Sequence, residues 1–399
     1  MKGLPPIWKN EPGDNMAEVT AQQPLAGIKV VEFSTMITAS LATMMFAQQG
    51  ADVIKVEPPG IGDPMRWLGS RKESISGLFN NCNRAKRSIT LDLKSEEGVA
   101  TARKLCLDAD IVIHNYRPGV MQRLGLDSDS LRAEKPRLIY CAITGFGREG
   151  PMADRPAYDH VMQAMAGFMG TQGHPDGFAY VKTLLCDKLT AYTAAQAITA
   201  ALFARERTGE GQHIDLSMLA SCIAFLWPDG GMHLTLMDED AIHAAPFADY
   251  YQMPLRTTDG AIAYAAMSDE HWQVVFEMVG REDLKSEEKY QGLENRSMHM
   301  AELAQIVSSE PPRHDTETMI AGLTKGDVPA APCLRLDDVK SHAQIVAIEA
   351  FEEQDHPLLG KIHNVASPVH INRQKLPTTG PSPAIGEHTD AILQEIGVK

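Results

Sequence analysis

The sequence predicts an α/β fold in which a doubly wound parallel sheet, built from both ends of the chain, carries a smaller inserted α+β unit. Three observations predict it. Short apolar runs such as Gly27–Phe33, Ala51–Glu57 and Asp110–Asn115 alternate with helical stretches, as strands covered on both faces do. A long Ala-rich segment runs from Lys188 to Arg207. The pattern then breaks at Pro228-Asp-Gly-Gly231 and resumes after Pro329-Ala-Ala-Pro332.

The elements follow in order. Residues 1–22 are polar and Pro-containing, and are expected to form a mobile or loosely docked tail. Gly27–Phe33 is a strand, Ala39–Gln49 a helix and Ala51–Glu57 a second strand. Ser95–Ala109 has helical periodicity with an acidic first turn and leads into the strand Asp110–Asn115. Arg137–Thr144 is a further strand, closed by Gly145-Phe-Gly147. The alanines of Lys188–Arg207 leave room for close neighbours, so this helix is expected at the centre. Thr208-Gly-Glu-Gly211 ends it, and Gln212–Met218 resumes as a strand. Segments in the insertion are shorter and more polar, with a strand at Gly260–Ala266 and an amphipathic helix at His271–Val279. Thr389–Ile396 reads as a terminal helix. The expected organisation is a large unit from 23–226 and 329–399, with a small unit at 227–328.

Composition narrows the function. The 399 residues are 44% hydrophobic and carry a formal net charge of −15, which argues against nucleic acid or an anionic membrane as a general partner. Six cysteines are scattered with no CxxC pair, the usage of reduced, buried thiols. The N-terminus has no apolar run of a signal peptide, and no stretch approaches the ~20 apolar residues of a membrane span. A cytoplasmic protein is expected. No HExxH motif or Cys/His cluster suggests a metal.

A standard dinucleotide or nucleotide-triphosphate site is excluded at its defining residues. The turn after the first strand is Ser34-Thr-Met-Ile-Thr-Ala-Ser40, with neither GxGxxG nor a Walker A lysine. The large unit is thus Rossmann-like without the glycine-rich loop. Arg66, Arg71, Lys72, Arg84, Lys86 and Arg87 are opposed only by Glu73 across that stretch. Such a run is either a solvated loop or a seat for phosphates. Asp187 stands at the start of the Ala-rich helix. There it is either a helix cap or an ionised nucleophile favoured by the helix N-terminus.

Ordered segments then carry a resemblance over roughly residues 24–399. They are Pro24-Leu-Ala-Gly-Ile-Lys-Val-Val-Glu-Phe33, Gly50-Ala-Asp-Val-Ile-Lys-Val-Glu57, Asn83-Arg-Ala-Lys-Arg-Ser-Ile89, Asn115-Tyr-Arg-Pro-Gly119 and Gly145-Phe-Gly147. Tyr158-Asp with Gln163-Ala, Arg205-Glu-Arg-Thr-Gly-Glu-Gly-Gln212 and Gly386-Glu-His-Thr389 follow. Together they resemble the class III CoA-transferases, the formyl-CoA and carnitine CoA-transferase (CaiB/BaiF) group.

The resemblance implies that Asp187 is the nucleophile, passing CoA from an acyl-CoA to a free carboxylic acid through anhydride and aspartyl-CoA thioester intermediates. It implies no cofactor beyond CoA itself, and an interlocked homodimer. It places Met36, Ile37 and Thr38 in a CoA-contacting loop, with Leu91–Lys94, Asn115, Tyr116, Arg117 and Arg123 in further contacts and Tyr158 near the thioester. Pro58 stands where the family often has an arginine, which shifts the expected phosphate contacts to Arg84 or Lys86. The family's intermediate-shielding glycine loop has only Asp229-Gly-Gly231 as a faint counterpart, which counts against oxalate as acceptor.

Two alternatives remain. The 2-methylacyl-CoA racemases resemble this family but use a His-Asp pair where this chain has Tyr158-Asp159. Tyrosine, with an ordinary pKa near ~10, is a poor base for that task. Asp159 and His160 also read as the opening of a helix. A non-catalytic CoA-binding protein would need Asp187 to be only a cap. The sequence does not name the acid pair.

Overall fold

Parallel pairing of six strands organises the larger of two compact units. In the computed structural model, which describes residues 23–172, 177–238, 240–241, 246, 254–377 and 380–398, one unit comprises the described residues up to Phe225 with those from Glu349 onward. Leu226–Ile348 forms the other. Residues 1–22, read above as a tail, lie outside the described residues.

The sheet contains β1 (Lys29–Phe33), β2 (Asp52–Glu57), β3 (Arg87–Thr90), β4 (Ile111–His114), β5 (Ile139–Thr144) and β6 (His213–Ser217), in the order 3-2-1-4-5-6. All five pairings are parallel. Val30, Phe33, Ile111, Val112, Ile113 and Ile139 are buried completely or nearly so, as a sheet with both faces covered requires. The strand order reverses between β1 and β4. In open α/β sheets, ligands bind beyond the strand ends at that reversal.

Helices α1 (Ile37–Gln48), α2 (Gly77–Asn83), α3 (Glu96–Asp108), α4 (Asp159–Ala166), α5 (Leu185–Thr208) and α6 (Met218–Gly230) belong chiefly to this unit. α1 follows β1 directly and packs against the long α5. Ala39 and Ala42 on one helix, with Ala191, Ala194 and Ala201 on the other, are all buried. Small side chains there allow the backbones to approach. Glycine at 209, with φ 80°, ends α5 in a left-handed cap.

The chain returns to this unit as a hairpin, β10 (Phe351–His356) with β11 (Gly360–Val365), and a terminal helix α10 (Thr389–Glu395). Ile392 of α10 is fully buried among Ile89, Leu105 and Val112. The inserted unit has a three-stranded antiparallel sheet of β7 (Leu255–Arg256), β8 (Ala261–Tyr264) and β9 (Ala330–Pro332). Helices α7 (Asp269–Val279), α8 (Met300–Ser309) and α9 (Thr316–Lys325) cover it around Trp272, Phe276, Leu303 and Leu323. Strand β9 pairs with β8, carrying the insertion beyond the expected return at 329, so the units divide at 348/349.

Candidate functional site

A cavity of about 390 Å³ opens beyond the ends of β1, β4 and β5, at the reversal of strand order. Its walls include Thr35, Met36 and Thr38 after β1, Asn115–Pro118 after β4, and Thr144 at the end of β5 with Gly145 after it. Arg155–Tyr158, Asp187 and Met218 close it. Asn115 ties the first two loops together: its amide donates to the Thr35 carbonyl (2.7 Å) and its carbonyl accepts from Thr35 N (3.1 Å).

Asp187 is the one carboxylate in these walls, and it is 9% exposed. It lies inside the first turn of α5 rather than before the helix. It does not cap that helix. Asp159 Oδ2, at the start of α4, accepts from Cys186 N (2.6 Å) and Asp187 N (3.2 Å) instead. The Asp187 carboxyl is left to one hydroxyl, with Thr38 Oγ1 donating to Oδ1 over 2.5 Å. Burial raises its pKa above the ordinary aspartate value. The Thr38 bond opposes that rise, the Asp159 charge adds to it and His160 opposes it. The helix N-terminus alone suggested a readily ionised group, but desolvation outweighs it here.

Asp159 is held in turn. It is 1% exposed, and Gln163 donates to its Oδ1 over 2.6 Å. The Gln163 side chain also donates to the carbonyls of Val181 and Thr183, and accepts from Val181 N. One turn of α4 therefore fixes the segment leading into α5. Such clamping suits a reactive group that must not drift.

The loop bearing Met36 is strained. Met36 has φ 64° and ψ −158°, a region almost reserved for glycine and costing about 1–3 kcal/mol in other residues. Its N–H donates to Asp63 Oδ1 (3.2 Å). Asp63 in turn lies 3.0 Å from the buried Lys55 Nζ. Across the cavity, a Cβ on Gly145 would lie 2.2 Å from Ala157 Cβ. The absence of a side chain at 145 therefore lets the Tyr158 segment close in.

Of the residues expected at the site, Met36, Thr38, Asn115, Tyr116, Arg117, Tyr158 and Asp187 share this cavity. Others do not. Ile37 packs with Met65, Ile75 and Phe79, and Leu91 joins the main core. Lys94 and Arg123 are exposed outside the cavity walls. Lys86 is buried, its Nζ bonded to Glu32 Oε2 (2.8 Å), Ser40 O (2.7 Å) and Asn83 Oδ1 (2.8 Å). Burial lowers its pKa to about 8. Arg84 is also buried and donates to Val365 O (3.0 Å). Arg66 forks onto Glu57. The apparent cationic stretch is thus in good part a set of internal ion pairs, and neither Lys86 nor Arg84, the expected phosphate contacts, lines the cavity.

Asp229 and Gly230 lie within α6, and Gly231 follows directly as the cap of a short helical turn. That segment is helical, not an open glycine loop. Arg155 lines the cavity and was not singled out in the sequence. Its only signal was position, three residues before Tyr158. A second cavity of about 220 Å³ shares Tyr116, Arg117, Pro118 and Thr144 with the first. Its wall includes His114, whose pKa burial lowers to about 4. Among the described residues, no group of three or more His, Cys, Asp or Glu could hold a metal. No described helix is long and apolar enough to cross a membrane.

A family model described as CoA-transferase family III matches residues 25–389. The succinate–glutarate CoA-transferase of Agrobacterium fabrum is 34% identical over 387 residues, covering 94% of this chain and 96% of the relative. The acetyl-CoA:oxalate CoA-transferase of Acetobacter aceti is 31% identical over 396 residues, covering 95% and 98%. The crystal structure of a CAIB/BAIF family protein from Brucella suis superposes with a TM-score of 0.79 at 32% identity, covering 94% of this chain and 99% of that one.

Proposed function

Since the chain belongs to CoA-transferase family III, we propose that it moves CoA from an acyl-CoA to a free carboxylic acid with Asp187 as nucleophile. The observation that carries this reading is that Asp159 takes over the helix cap. Asp187 is thereby left facing the cavity with a single hydroxyl partner.

The Asp187 carboxylate attacks the donor thioester carbonyl, breaking its C–S bond to give a mixed anhydride and CoA thiolate. The thiolate attacks the aspartyl carbonyl, releasing the donor acid and leaving an aspartyl-CoA thioester. The acceptor carboxylate attacks that thioester, forming a second anhydride and freeing the thiolate again. Attack of the thiolate on the acceptor's carbonyl releases the new acyl-CoA and restores Asp187. The thioester bond energy is retained at each step. Partial burial supports the chemistry, because a desolvated carboxylate is the stronger nucleophile and water must be kept from the intermediates. The succinate–glutarate and oxalate relatives support carboxylic acids as acceptors.

CoA is proposed to lie over Met36, Thr38 and Asn115–Arg117, with Tyr158 at the thioester end. Tyr158 is 66% exposed, so a ligand or a second chain would cover it. A homodimer is proposed on the same ground, with the exposed Tyr192, Phe203, Ile223 and Phe225 on α5 and α6 as its supporting surface. The 2-methylacyl-CoA racemase alternative is not favoured by relatives that carry transferase names.

Intact-protein mass spectrometry with a panel of acyl-CoAs, with and without hydroxylamine, tests the mechanism. A CoA-sized adduct or a hydroxamate at Asp187 is expected, and Asp187→Asn should give neither. Full turnover by Asp187→Asn would refute it.

A further inference from the structure

The cavity that holds Asp187 also holds two arginines, Arg117 and Arg155. In a chain of net charge −15, several arginines of this unit are already held in ion pairs. Arg66 binds Glu57, Arg87 binds Asp52 and Glu395, Arg148 binds Asp215 and Arg205 binds Asp110. Arg155 and Arg117 have no ion pair or side-chain hydrogen bond among the described residues. Both residues are exposed. An unpaired fork beside a ligand cavity is suited to a carboxylate or a phosphate, which it grips through two parallel hydrogen bonds.

Position separates the two arginines. Arg117 lines both the 390 Å³ and the 220 Å³ cavities, at the passage between them. That place suits the elongated CoA moiety. Arg155 lines the Asp187 cavity but not the second one. It sits on the short segment Arg155–Tyr158, which Gly145 allows to close against the sheet end. Tyr158, which ends that segment, is proposed above to lie at the thioester, so the group facing Arg155 is assigned to the acyl end of the substrate.

We infer that Arg155 binds a second carboxylate on the transferred acyl group and on the acceptor acid, so that the substrates of this chain are dicarboxylic. The inference rests on the transferase reading and deepens it. One carboxylate of the diacid meets Asp187 chemistry, while the other is neutralised by Arg155. Without that cation, a dianion would enter a cavity whose other charged group at the reacting end is itself a carboxylate.

The test pairs two five-carbon acceptors that differ at one end, glutarate and valerate, with the wild type, Arg155→Ala and Arg155→Lys. Wild type should prefer glutarate. Arg155→Ala should raise the glutarate KM about 30-fold, the size expected when a charge-assisted fork is lost. The KM values for valerate and for a donor without a second carboxylate, acetyl-CoA, should stay within about twofold. Arg155→Lys should recover part of the glutarate affinity. Valerate turnover by the alanine variant shows that it is folded. A rise in the acetyl-CoA KM, with no change in acid preference, would overturn the inference and make Arg155 a phosphate contact. No glutarate preference in the wild type would also overturn it. Calorimetric binding of glutarate to the same proteins needs no turnover. Binding lost only in Arg155→Ala supports the arginine even if transfer chemistry fails.

Discussion

Thr38 Oγ1 donates a 2.5 Å hydrogen bond to Asp187 Oδ1, joining the first turn of α1 to the first turn of α5 across 149 residues of sequence. It is the one side chain bonded to the Asp187 carboxyl among the described residues. Its effect on that carboxyl opposes the effect of burial. Charge at Asp187 is thus set by competing contributions, burial and this bond first among them, and those of Thr38 and Asp159 are addressable by substitution.

The first prediction follows from that competition. Burial raises the Asp187 pKa, so its proton leaves at a higher pH than from a free aspartate. The attacking form is the carboxylate, so kcat/KM should rise with pH through a limb above the ordinary ~3.9 of aspartate. Thr38→Val removes the bond that lowers this pKa, and the limb should move further up. Above the limb, activity should fall by an amount matching about 1.5–3 kcal/mol, the value of a hydrogen bond to a charged group. A pH–rate profile that is superimposable in the two proteins would remove Thr38 from any such role.

Asp159→Asn should shift the same limb in the opposite direction. The Asp159 charge contributes to the raised pKa of Asp187, so neutralising it should lower that pKa. The change also weakens the acceptor for Cys186 N and Asp187 N. Poorly paired buried N–H groups cost about 1–3 kcal/mol. Thermal unfolding and the pH profile measured together separate the two effects: a lower Tm with an unmoved limb would leave Asp159 a purely structural cap.

These relationships also show what one sequence discloses. Strands β1, β2, β4, β5 and β6 were legible because apolar runs of that length have few alternatives. Strand β3 was not, because Arg84, Lys86 and Arg87 read as one charged stretch. Their partners are Val365, Glu32 and Asp52, and Glu32 lies 54 residues from Lys86. Charge counted along the chain cannot reveal a partner in space. Asp187 itself was legible, but its release from capping was not. The substitute acceptor, Asp159, sits 28 residues upstream on a different helix. The cavity depends on strand order, which places Asn115 beside Thr35, and no local pattern encodes that order.

The burial of Lys86 in an ion pair has a direct consequence. Its Nζ and that of Lys55 both pair with Glu32, one on each carboxylate oxygen. The flanking lysines hold the Glu32 carboxyl well below the usual range despite burial. Lys86→Met should destabilise the protein by about 3–5 kcal/mol, as breaking a buried pair does. The KM for acyl-CoA should be unchanged within about twofold. A phosphate contact would show the reverse, with intact Tm and a raised KM.

Acid unfolding reports on the same network. Because the Glu32 pKa is lowered on folding, its contribution to stability is present above the ordinary glutamate pKa of ~4.3. It is lost as pH falls below that value towards the folded pKa. Glu32→Gln should therefore be less stable than wild type at neutral pH. The difference should shrink as the wild-type carboxylate is itself titrated. A stability gap that stays constant down to the acid transition would contradict the depressed pKa.

Gly145 offers a test of cavity geometry by compensation. A methyl group added there would lie 2.2 Å from Ala157 Cβ, far inside contact distance, so the Arg155–Tyr158 segment must move. Gly145→Ala should lower stability by about 1–3 kcal/mol through overpacking. A displacement near 1 Å at a positioning segment can cost on the order of 10²-fold in rate. Removing the opposing methyl should reverse both effects, so Gly145→Ala with Ala157→Gly should regain most of the turnover. Single and double variants assayed side by side decide it. If the double variant is no better than Gly145→Ala alone, the contact between 145 and 157 is not what sets the position of Tyr158.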